Sequence, residues 1–351
     1  MVRTTRVPAR RVPAARVPAA RVPAARVPAA RVPAARVPAA RVPAARAPAA
    51  LALFTALISG AGAVFGAAGC GKEGSPPRKG PAAGTLPDYQ VAQGFRLPAS
   101  PTWTRAKKRG HFVVGAKEDQ PYLGERDPAT GVYSGFDIEI ARMISASLGL
   151  APETIRFRTI ASANRETALQ NGQIDYYVGT YTINDNRRKL VGFAGPYYMA
   201  GQSLLVRHDE NDIHGPQDLA GKRVCSAAGS TPYQRIRADY PKAVLVAYDT
   251  YSVCVDNLLT YQVDAVTTDD AILIGYAAKA PGELKVVGKP FSKEPYGIGV
   301  PRGDTALRFA MDDALEAREK NGDWKKAYEA TLGLSGVPAP TPPPIDRYPA
   351  S

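Results

Sequence analysis

Short apolar segments alternate with amphipathic ones from residue 111 to residue 332, and this alternation limits the possible folds more than any other feature. In the amphipathic segments the apolar residues recur at helical spacing, as Ile140, Met143, Ile144 and Leu148 do. Strands separated by such helices pair in parallel. Because the pattern occurs twice, the sequence predicts an α/β fold of two lobes, each a mostly parallel sheet flanked by helices. The predicted strands are 111–116, 155–160, 174–178, 223–226, 244–247, 263–267 and 296–300.

Three of the predicted helices have a candidate capping residue at their start. Asp137, Asp304 and Asp323 each precede a periodic apolar segment. A short polar side chain at this position accepts a hydrogen bond from the first helical turn. We therefore expect all three aspartates to be N-caps.

The positive charge of the chain is concentrated at its N-terminus. The chain has 45 Lys and Arg residues against 32 Asp and Glu residues, a formal net charge of +13. Eleven of the arginines lie within residues 1–50, which contain no acidic residue, so the rest of the chain has a net charge of only +2. Nucleic-acid binding requires a basic surface that neutralises phosphates. We therefore expect no nucleic-acid partner.

Residues 1–50 consist largely of a five-residue repeat, Arg-Val-Pro-Ala-Ala. A proline at every fifth position removes backbone donors and prevents a stable helix. The sequence therefore predicts a disordered segment, which would tether the protein to an anionic surface if it is translated. The alternative is that translation starts downstream, near Val37 or Val42, because a valine codon can serve as a bacterial start.

An uncharged apolar run at residues 51–68 ends in Ala67-Ala68-Gly69-Cys70. Small residues directly before a cysteine resemble the bacterial lipobox, in which the cysteine is lipidated and becomes the mature N-terminus. This resemblance predicts a signal peptide at 51–70 with Cys70 as the lipidation site and the membrane as a partner. A plain cleaved signal peptide and an uncleaved anchor remain as alternatives. A cysteine pair, Cys225 and Cys254, is then left, which suits an oxidising compartment.

Polar residues that suit a carboxylate follow two of the predicted strands. In an open α/β sheet, ligands bind beyond the carboxyl ends of the strands. Thr180, Thr182 and Arg187 follow strand 174–178, and an arginine beside free helix-terminal N–H groups binds carboxylates well. Ser230 and Thr231 follow strand 223–226 at a second helix start of the same character.

A carboxylate partner for an ammonium group follows a third strand. Asp269 and Asp270 come after strand 263–267, and Asp270 is alternatively a simple N-cap. Each of these residues alone is more often structural. Together they provide what the two charged ends of a free amino acid require, and we expect Arg187 and Asp269 to face the same cleft.

Six segments between residues 109 and 334 follow one another in a specific order. They are GFDIEIA (135–141), NGQIDYYVGTYTINDNR (171–187), the Gly195-Pro196-Tyr197-Tyr198 turn, LAGKRVCSAAGST (219–231), VDAVTTDD (263–270) and PYGIGV (295–300). This order resembles the family 3 extracellular solute-binding proteins of polar amino acid ABC transporters. The segments KEDQPYLG (117–124) and YDTYSVCVD (248–256) are similar to the glutamate-binding actinobacterial branch.

The resemblance implies a two-lobed periplasmic-binding-protein-like fold (type II) whose lobes are joined by two hinge strands. It further implies a monomer that has no cofactor, is not an enzyme, and delivers glutamate, aspartate or glutamine to an ABC permease. The implied segments are the repeat at 1–50, the signal peptide at 51–70, a flexible linker at 71–98, a first lobe at 99–198 completed by 291–335, a second lobe at 199–290 and a disordered Pro-rich tail at 336–351.

The resemblance also assigns roles to single residues. Arg187 would bind the ligand α-carboxylate, with Thr180, Thr182, Ser230 and Thr231 around it. Asp269 would face the ammonium group, while Lys117 and Gln120 are the nearest candidates for the ligand side chain. Cys225 and Cys254 would form a disulfide. No metal site is expected, because the three histidines have no ligand-like spacing with the cysteines.

Two other functions are compatible with the same scaffold. A cyclohexadienyl-dehydratase-like enzyme would need an acid or base at Glu118, Asp119 or Asp270, since no histidine lies in the motif loops. A sensor component would present the ligand to a membrane receptor instead of a permease.

Overall fold

Two five-stranded sheets and a small three-stranded sheet organise the part of the chain that the computed structural model describes, residues 84–349. The predicted repeat, the signal peptide with Cys70 and the linker up to residue 83 lie outside this range. The strands are β1 (Val113–Ala116), β2 (Asp119–Gln120), β3 (Gly124–Arg126), β4 (Tyr133–Ser134), β5 (Arg156–Thr159), β6 (Tyr176–Tyr177), β7 (Gly192–Ala200), β8 (Gln202–Arg207), β9 (Arg223–Ala227), β10 (Val244–Tyr248), β11 (Ala265–Asp269), β12 (Leu284–Val287) and β13 (Glu294–Val300). The helices are α1 (Pro101–Arg109), α2 (Phe136–Ser147), α3 (Arg165–Gln170), α4 (Asp185–Arg188), α5 (Thr231–Asp239), α6 (Tyr251–Leu259), α7 (Asp270–Lys279), α8 (Thr305–Lys320) and α9 (Asp323–Ala330).

Each five-stranded sheet is the centre of one lobe. The first lobe contains the sheet β5-β1-β6-β13-β7, the small sheet β2-β3-β4 and helices α1 to α4, α8 and α9. The second lobe contains the sheet β10-β9-β11-β8-β12 and helices α5, α6 and α7. Among residues 84–349, no helix is both long and apolar enough to cross a bilayer.

The predicted α/β fold class is confirmed, but the sheets are mixed rather than mostly parallel. In the first sheet β1 pairs in parallel with β5 and β6, whereas β13 is antiparallel to β6 and β7. In the second sheet β9 pairs in parallel with β10 and β11, whereas β8 is antiparallel to β11 and β12. The antiparallel strands are those next to the two passages of the chain between the lobes, where β7 leads into β8 and β12 leads into β13. The segment Gly195–Tyr198, predicted as a turn, lies within β7 at the sheet edge, where a proline needs no ladder partner.

Of the three predicted N-caps, only Asp304 accepts the expected hydrogen bond, from the backbone N–H of Leu307 at 3.1 Å. The predictions for Asp137 and Asp323 are wrong, because glycines occupy the capping positions of α2 and α9. At the start of α2, Gly135 has a φ of +117°, and a Cβ there would lie 2.4 Å from the carbonyl oxygen of Leu123. The chain enters this helix too closely packed for any other residue.

The implied disulfide is present between Cys225 in β9 and Cys254 in α6, with a Cα–Cα distance of 5.5 Å. Both cysteines are fully buried in the core of the second lobe. The bond therefore fixes α6 to the central strands of its sheet.

The Pro-rich tail packs against the first lobe up to residue 349, although the sequence predicts disorder there. The backbone N–H of Asp346 donates to the carbonyl of Gly195 at 2.9 Å, and the hydroxyl of Tyr348 accepts from the N–H of Phe193 at 2.8 Å. The Tyr348 ring lies between the guanidinium groups of Arg188 and Arg308, 4.4 and 3.9 Å from its centroid. Composition predicts disorder because prolines form no ladder, but contacts with residues far away in the sequence, such as those of Tyr348 and Asp346, order this segment.

Candidate functional site

The loop after β6 is held in an unusual conformation by Asp137. Thr180 has a φ of +47°, in the left-handed region that non-glycine residues rarely adopt. Asp137 accepts hydrogen bonds from the backbone N–H of Thr180 at 2.9 Å and from the Tyr197 hydroxyl at 2.7 Å. Burial raises the pKa of Asp137 to about 7, against these two hydrogen bonds. Asp137 therefore holds the binding loop rather than capping its own helix.

Arg187 lies on the short helix α4 with its side chain buried between the lobes. Its guanidinium donates to the carbonyl of Thr182 at 2.7 Å and, across the cleft, to the carbonyl of Gly229 at 3.3 Å. Its Nε is 3.2 Å from Oε1 of Glu166. Because a guanidinium has five N–H donors, these contacts leave two of them for a ligand carboxylate.

Lys117 and Gln120, from the segment after β1, are buried beside this loop. The Lys117 ammonium donates to Oγ of Ser162 at 2.8 Å, and Gln120 Oε1 accepts from the Thr180 hydroxyl at 3.2 Å. Gln120 Nε2 has no hydrogen-bond partner among residues 84–349. Both side chains thus have donor capacity that the protein itself leaves partly unused.

The sequence analysis missed Arg165, a second buried arginine in the first lobe. It lies at the start of α3 with its guanidinium 4.4 Å from the ring centroid of Tyr181, and it donates to the carbonyl of Thr180 at 3.4 Å. It follows the carboxyl end of β5, from which no site residue was predicted. The same strand-end rule that identified Arg187 therefore points to Arg165 as well.

Three buried cations, Lys117, Arg165 and Arg187, therefore lie close together on the first-lobe side, with the buried Asp137 and the partly buried Glu166 as neighbouring carboxylates. Burial and then the charge of Arg165 lower the pKa of Lys117 to about 7, with a smaller contribution from Arg187 and against the opposing charges of Asp119 and Asp137. Burial and the charge of Arg165 also lower the pKa of Arg187, to about 10. The first-lobe side of the cleft is thus electropositive and suits an anionic ligand.

Across the cleft, the start of α5 presents two hydroxyl groups. Ser230 is the N-cap of α5, accepting from the N–H of Tyr233 at 3.1 Å. The hydroxyl of Thr231 lies 3.3 Å from that of Thr182 and donates to Glu294 at 2.8 Å. Since Glu294 begins the returning hinge strand β13, this contact links both lobes and the hinge.

Asp269 is the last residue of β11, which extends two residues beyond the predicted strand. Its Oδ2 accepts from the Tyr296 hydroxyl at 2.8 Å, while its Oδ1 is buried and has no partner within the described range. The pKa of Asp269 is raised well above its usual value, first by burial and then by the charge of Glu294, against the opposing effect of Arg187. An ammonium group at Oδ1 would satisfy this atom and restore its charge.

The eight predicted residues are thus connected through one region between the lobes. Hydrogen bonds join Lys117, Gln120, Thr180, Thr182, Arg187, Ser230, Thr231 and Asp269 to partners that line the same cleft. Close contact of the lobes requires a glycine at one point: a Cβ on Gly229 would lie 2.6 Å from Cα of Ala163. Residues 84–349 contain no cluster of three or more His, Cys, Asp and Glu side chains arranged to hold a metal ion.

The family model of the bacterial extracellular solute-binding proteins, family 3, matches residues 112–333, which include both sheets and the cleft. The chain belongs to this family. It is therefore a solute-binding protein rather than an enzyme. Glutamate-binding protein GluB of Corynebacterium efficiens is 41% identical over 238 residues, covering 65% of this chain and 81% of that protein. The ABC transporter glutamine-binding protein GlnH of Bacillus subtilis is 36% identical over 229 residues, covering 65% of this chain and 83% of that protein.

Solved structures of other solute-binding proteins share the fold. An ancestral arginine-binding protein bound to arginine is 35% identical with a TM-score of 0.60, covering 64% of this chain and 99% of that one. The ancestral amino acid-binding protein AncCDT-1, a precursor of cyclohexadienyl dehydratase, is 29% identical with a TM-score of 0.60, covering 66% of this chain and 99% of that one. The predicted family and two-lobed fold are confirmed.

Proposed function

We propose that this solute-binding protein is a secreted lipoprotein that binds L-glutamate and delivers it to the permease of an ABC importer. The names of the relatives support this proposal, since two of them bind glutamate or glutamine and one belongs to an ABC transporter. In this proposal residues 51–70 are the signal peptide, 71–98 the tether, 99–198 with 291–335 the first lobe, and 199–290 the second. The protein acts as a monomer.

The observation that supports glutamate is the distribution of buried charge across the cleft. Three cations and the buried carboxylate of Asp137 lie on the first-lobe side, Glu294 lies at the hinge, and Asp269, with one oxygen that has no partner within residues 84–349, lies on the other side. Glutamate has two carboxylates and one ammonium group, so it neutralises both sides at once. Asp119 and Asp137 offset part of the repulsion between Lys117 and the two arginines, and a ligand with a neutral side chain would add nothing to this compensation.

Each predicted site residue then has a role. Arg187 and the hydroxyl of Thr182 bind the α-carboxylate, and Asp269 binds the ammonium group. The Thr231 hydroxyl joins the α-carboxylate site when its single O–H turns from Glu294 to the ligand. The side-chain carboxylate accepts hydrogen bonds from Lys117 and Gln120. Thr180 positions the loop and Ser230 provides the start of α5 as a further source of N–H donors.

Closure of the two lobes about the hinge strands is the proposed mechanism. A ligand bound first to Arg187 gains the contacts of the second lobe only when the lobes meet, so it shifts the population toward the closed form. The permease then recognises the closed form. No covalent bond is made or broken.

Binding of glutamate is expected to depend on pH through Lys117. Below its pKa of about 7 the free side chain is already charged, so glutamate binds without proton uptake there. Above pH 7 the neutral amine must take up a proton when the side-chain carboxylate arrives, so the Kd for L-glutamate rises with pH, by at most about tenfold per unit. Titration calorimetry from pH 6 to 9 measures this slope, and L-glutamine provides the reference ligand without a side-chain charge.

The variant Lys117→Met separates the possible outcomes. It should bind L-glutamate about 10- to 100-fold more weakly at pH 6, since a charged hydrogen bond is lost, and its glutamate Kd should no longer depend on pH. A slope that persists in this variant would come from Asp137, whose pKa is also about 7, and would contradict the role of Lys117. If the unaltered protein binds neither L-glutamate, L-aspartate nor L-glutamine, the proposed function is wrong.

Lipidation at Cys70 is tested separately. The variant Cys70→Ser is expected to move most of the protein from the membrane fraction into the culture medium, because the lipid supplies most of the membrane affinity. Fractionation with immunoblotting measures the distribution. Retention of the variant at the membrane would instead indicate an uncleaved anchor.

A further inference from the structure

The segment after β1 in the first lobe reaches across the cleft to two helices of the second lobe. Oδ2 of Asp119 accepts hydrogen bonds from the backbone N–H groups of Tyr251 at 2.9 Å and Ser252 at 3.0 Å. The hydroxyl of Tyr276, on α7, donates to the backbone carbonyl of Asp119 and lies 3.3 Å from its Oδ2. One residue of the first lobe thus binds three donors of the second.

The two N–H groups belong to the first turn of α6, which its own cap leaves unsatisfied. Thr250 occupies the N-cap position, but its side chain makes no capping hydrogen bond. Its hydroxyl lies 3.0 Å from Oγ of Ser252 instead. A helix start needs acceptors and favours negative charge. Asp119 supplies both from a position 132 residues earlier in the chain.

Tyr251 connects this contact to the ligand site. Burial raises the pKa of its hydroxyl to about 12, while the charge of Asp269 adds to the rise and the hydroxyls of Ser230 and Thr268 oppose it. The phenol group therefore lies among the second-lobe side chains that face the cleft. The hydrogen bond from the backbone of Tyr251 to Asp119 therefore also positions the second-lobe side chains around the Tyr251 hydroxyl.

About one turn from its start, α6 is already fixed to its own sheet, because Cys254 ties the helix to β9. Capping by Asp119 therefore acts on a helix that moves with its whole lobe. When the lobes separate, the hydrogen bonds between Asp119 and the two N–H groups break, and water solvates these groups instead. The capping bonds exist only in the closed arrangement, so they contribute free energy to closure alone.

We propose that Asp119 is a positioning residue that caps α6 across the cleft and thereby stabilises the closed form. Its hydrogen bonds go to Tyr251, Ser252 and Tyr276, none of which has an assigned ligand role, yet the affinity for any ligand that requires closure depends on it. The apparent affinity for a ligand is proportional to the fraction of the protein in the binding-competent form. This role of Asp119 rests on the proposed function only where L-glutamate binding is used to test it.

The first test compares L-glutamate binding by the full-length protein and its Asp119→Ala variant. The measurement is made at pH 6, below the pKa of Lys117, because Asp119 helps to keep Lys117 charged. The variant is expected to raise the Kd about 5- to 30-fold, the effect of losing a strong helix cap, mainly through faster dissociation in stopped-flow experiments. The melting temperature of the ligand-free variant should stay within about 3 °C of the unaltered protein, because Asp119 holds the lobes together and its loss leaves the core of each lobe intact.

Two further variants distinguish capping from other effects. In Asp119→Asn the amide oxygen accepts the same N–H groups, so most of the affinity should return. Glu125→Gln removes the carboxylate of a different interlobe pair, 3.6 Å from Lys279 and partly exposed, and should change the Kd less than about twofold. An unchanged Kd and dissociation rate in Asp119→Ala would overturn the proposal, as would a loss of melting temperature without a loss of affinity.

Small-angle X-ray scattering of the ligand-free proteins measures the separation of the lobes and tests the role of Asp119 without any ligand. Asp119→Ala should have the larger radius of gyration, because the lobes lose their shared cap. If the unaltered protein fails to bind L-glutamate, the proposed function fails while this comparison still decides on Asp119. Equal radii in that case would overturn the capping role.

Discussion

Replacing Arg187 by alanine is expected to raise the Kd for L-glutamate at least about 100-fold, the largest effect we predict for any single substitution. The α-carboxylate would lose a buried, charge-assisted partner, which costs about 3–5 kcal/mol when one member of such a pair is removed. The two N–H donors that Arg187 does not share with the protein have no substitute in alanine. Titration calorimetry at pH 6 measures the change.

The fold should tolerate this substitution. Arg187 donates to two backbone carbonyls and pairs with the partly exposed Glu166, so its loss removes stabilising contacts. It also removes the repulsion between Arg187 and Arg165, whose charge lowers the pKa of Arg187. These effects oppose one another, and the free energy of unfolding should change by no more than about 2 kcal/mol.

The neighbouring Arg188 provides a matched control. It lies on the same short helix but pairs with Asp346 of the tail and lies beside the ring of Tyr348, outside the cleft. Arg188→Ala should bind L-glutamate with an unchanged Kd and lose only about 1 kcal/mol of stability. Equal losses of affinity in both variants would show that α4 acts as a structural unit, and would contradict a direct contact between Arg187 and the ligand.

The sequence predicts the main elements of the fold because they depend on local periodicity. The helix 136–147 and seven of the ten strands in the two five-stranded sheets are predicted in this way, whereas β7, β8 and β12 are not. The eight predicted site residues come together because the carboxyl ends of strands meet at one edge of a sheet, a rule that needs no knowledge of side-chain contacts. The strand directions did not follow from periodicity in the same way, since both sheets are mixed rather than mostly parallel.

Contacts between residues far apart in the sequence account for what prediction missed. The carboxylate of Asp137 accepts hydrogen bonds from Thr180 and Tyr197. Its position at the start of a helix therefore led to the wrong prediction of an N-cap. Asp119 satisfies a helix start 132 residues away, and nothing near Asp119 in the sequence indicates this partner. The tail is ordered by Tyr348, whose partners Arg188 and Arg308 are equally remote. Each case is a polar or aromatic side chain whose partner only the folded chain provides.

Removing the disulfide is expected to lower the free energy of unfolding by about 3–4 kcal/mol. Cys225 and Cys254 are 29 residues apart, and closing a loop of this size restricts the unfolded chain by that amount in the chain-entropy model. For a protein of this size the loss corresponds to a fall of about 10 °C in melting temperature. The double variant Cys225→Ala/Cys254→Ala, followed by denaturant unfolding and scanning calorimetry, measures both quantities.

A reductant separates the cross-link from the atoms that form it. Reduced wild-type protein keeps both sulfur atoms in the core, so a stability close to that of the double variant would assign the loss to the lost covalent bond. Addition of dithiothreitol should leave the double variant unchanged. Because Cys254 also anchors the helix whose start Asp119 binds, both proteins should bind L-glutamate a few-fold more weakly than the oxidised form. If the oxidised and reduced proteins unfold at the same denaturant concentration, the bond contributes nothing to stability and the loop-closure argument is wrong for this lobe.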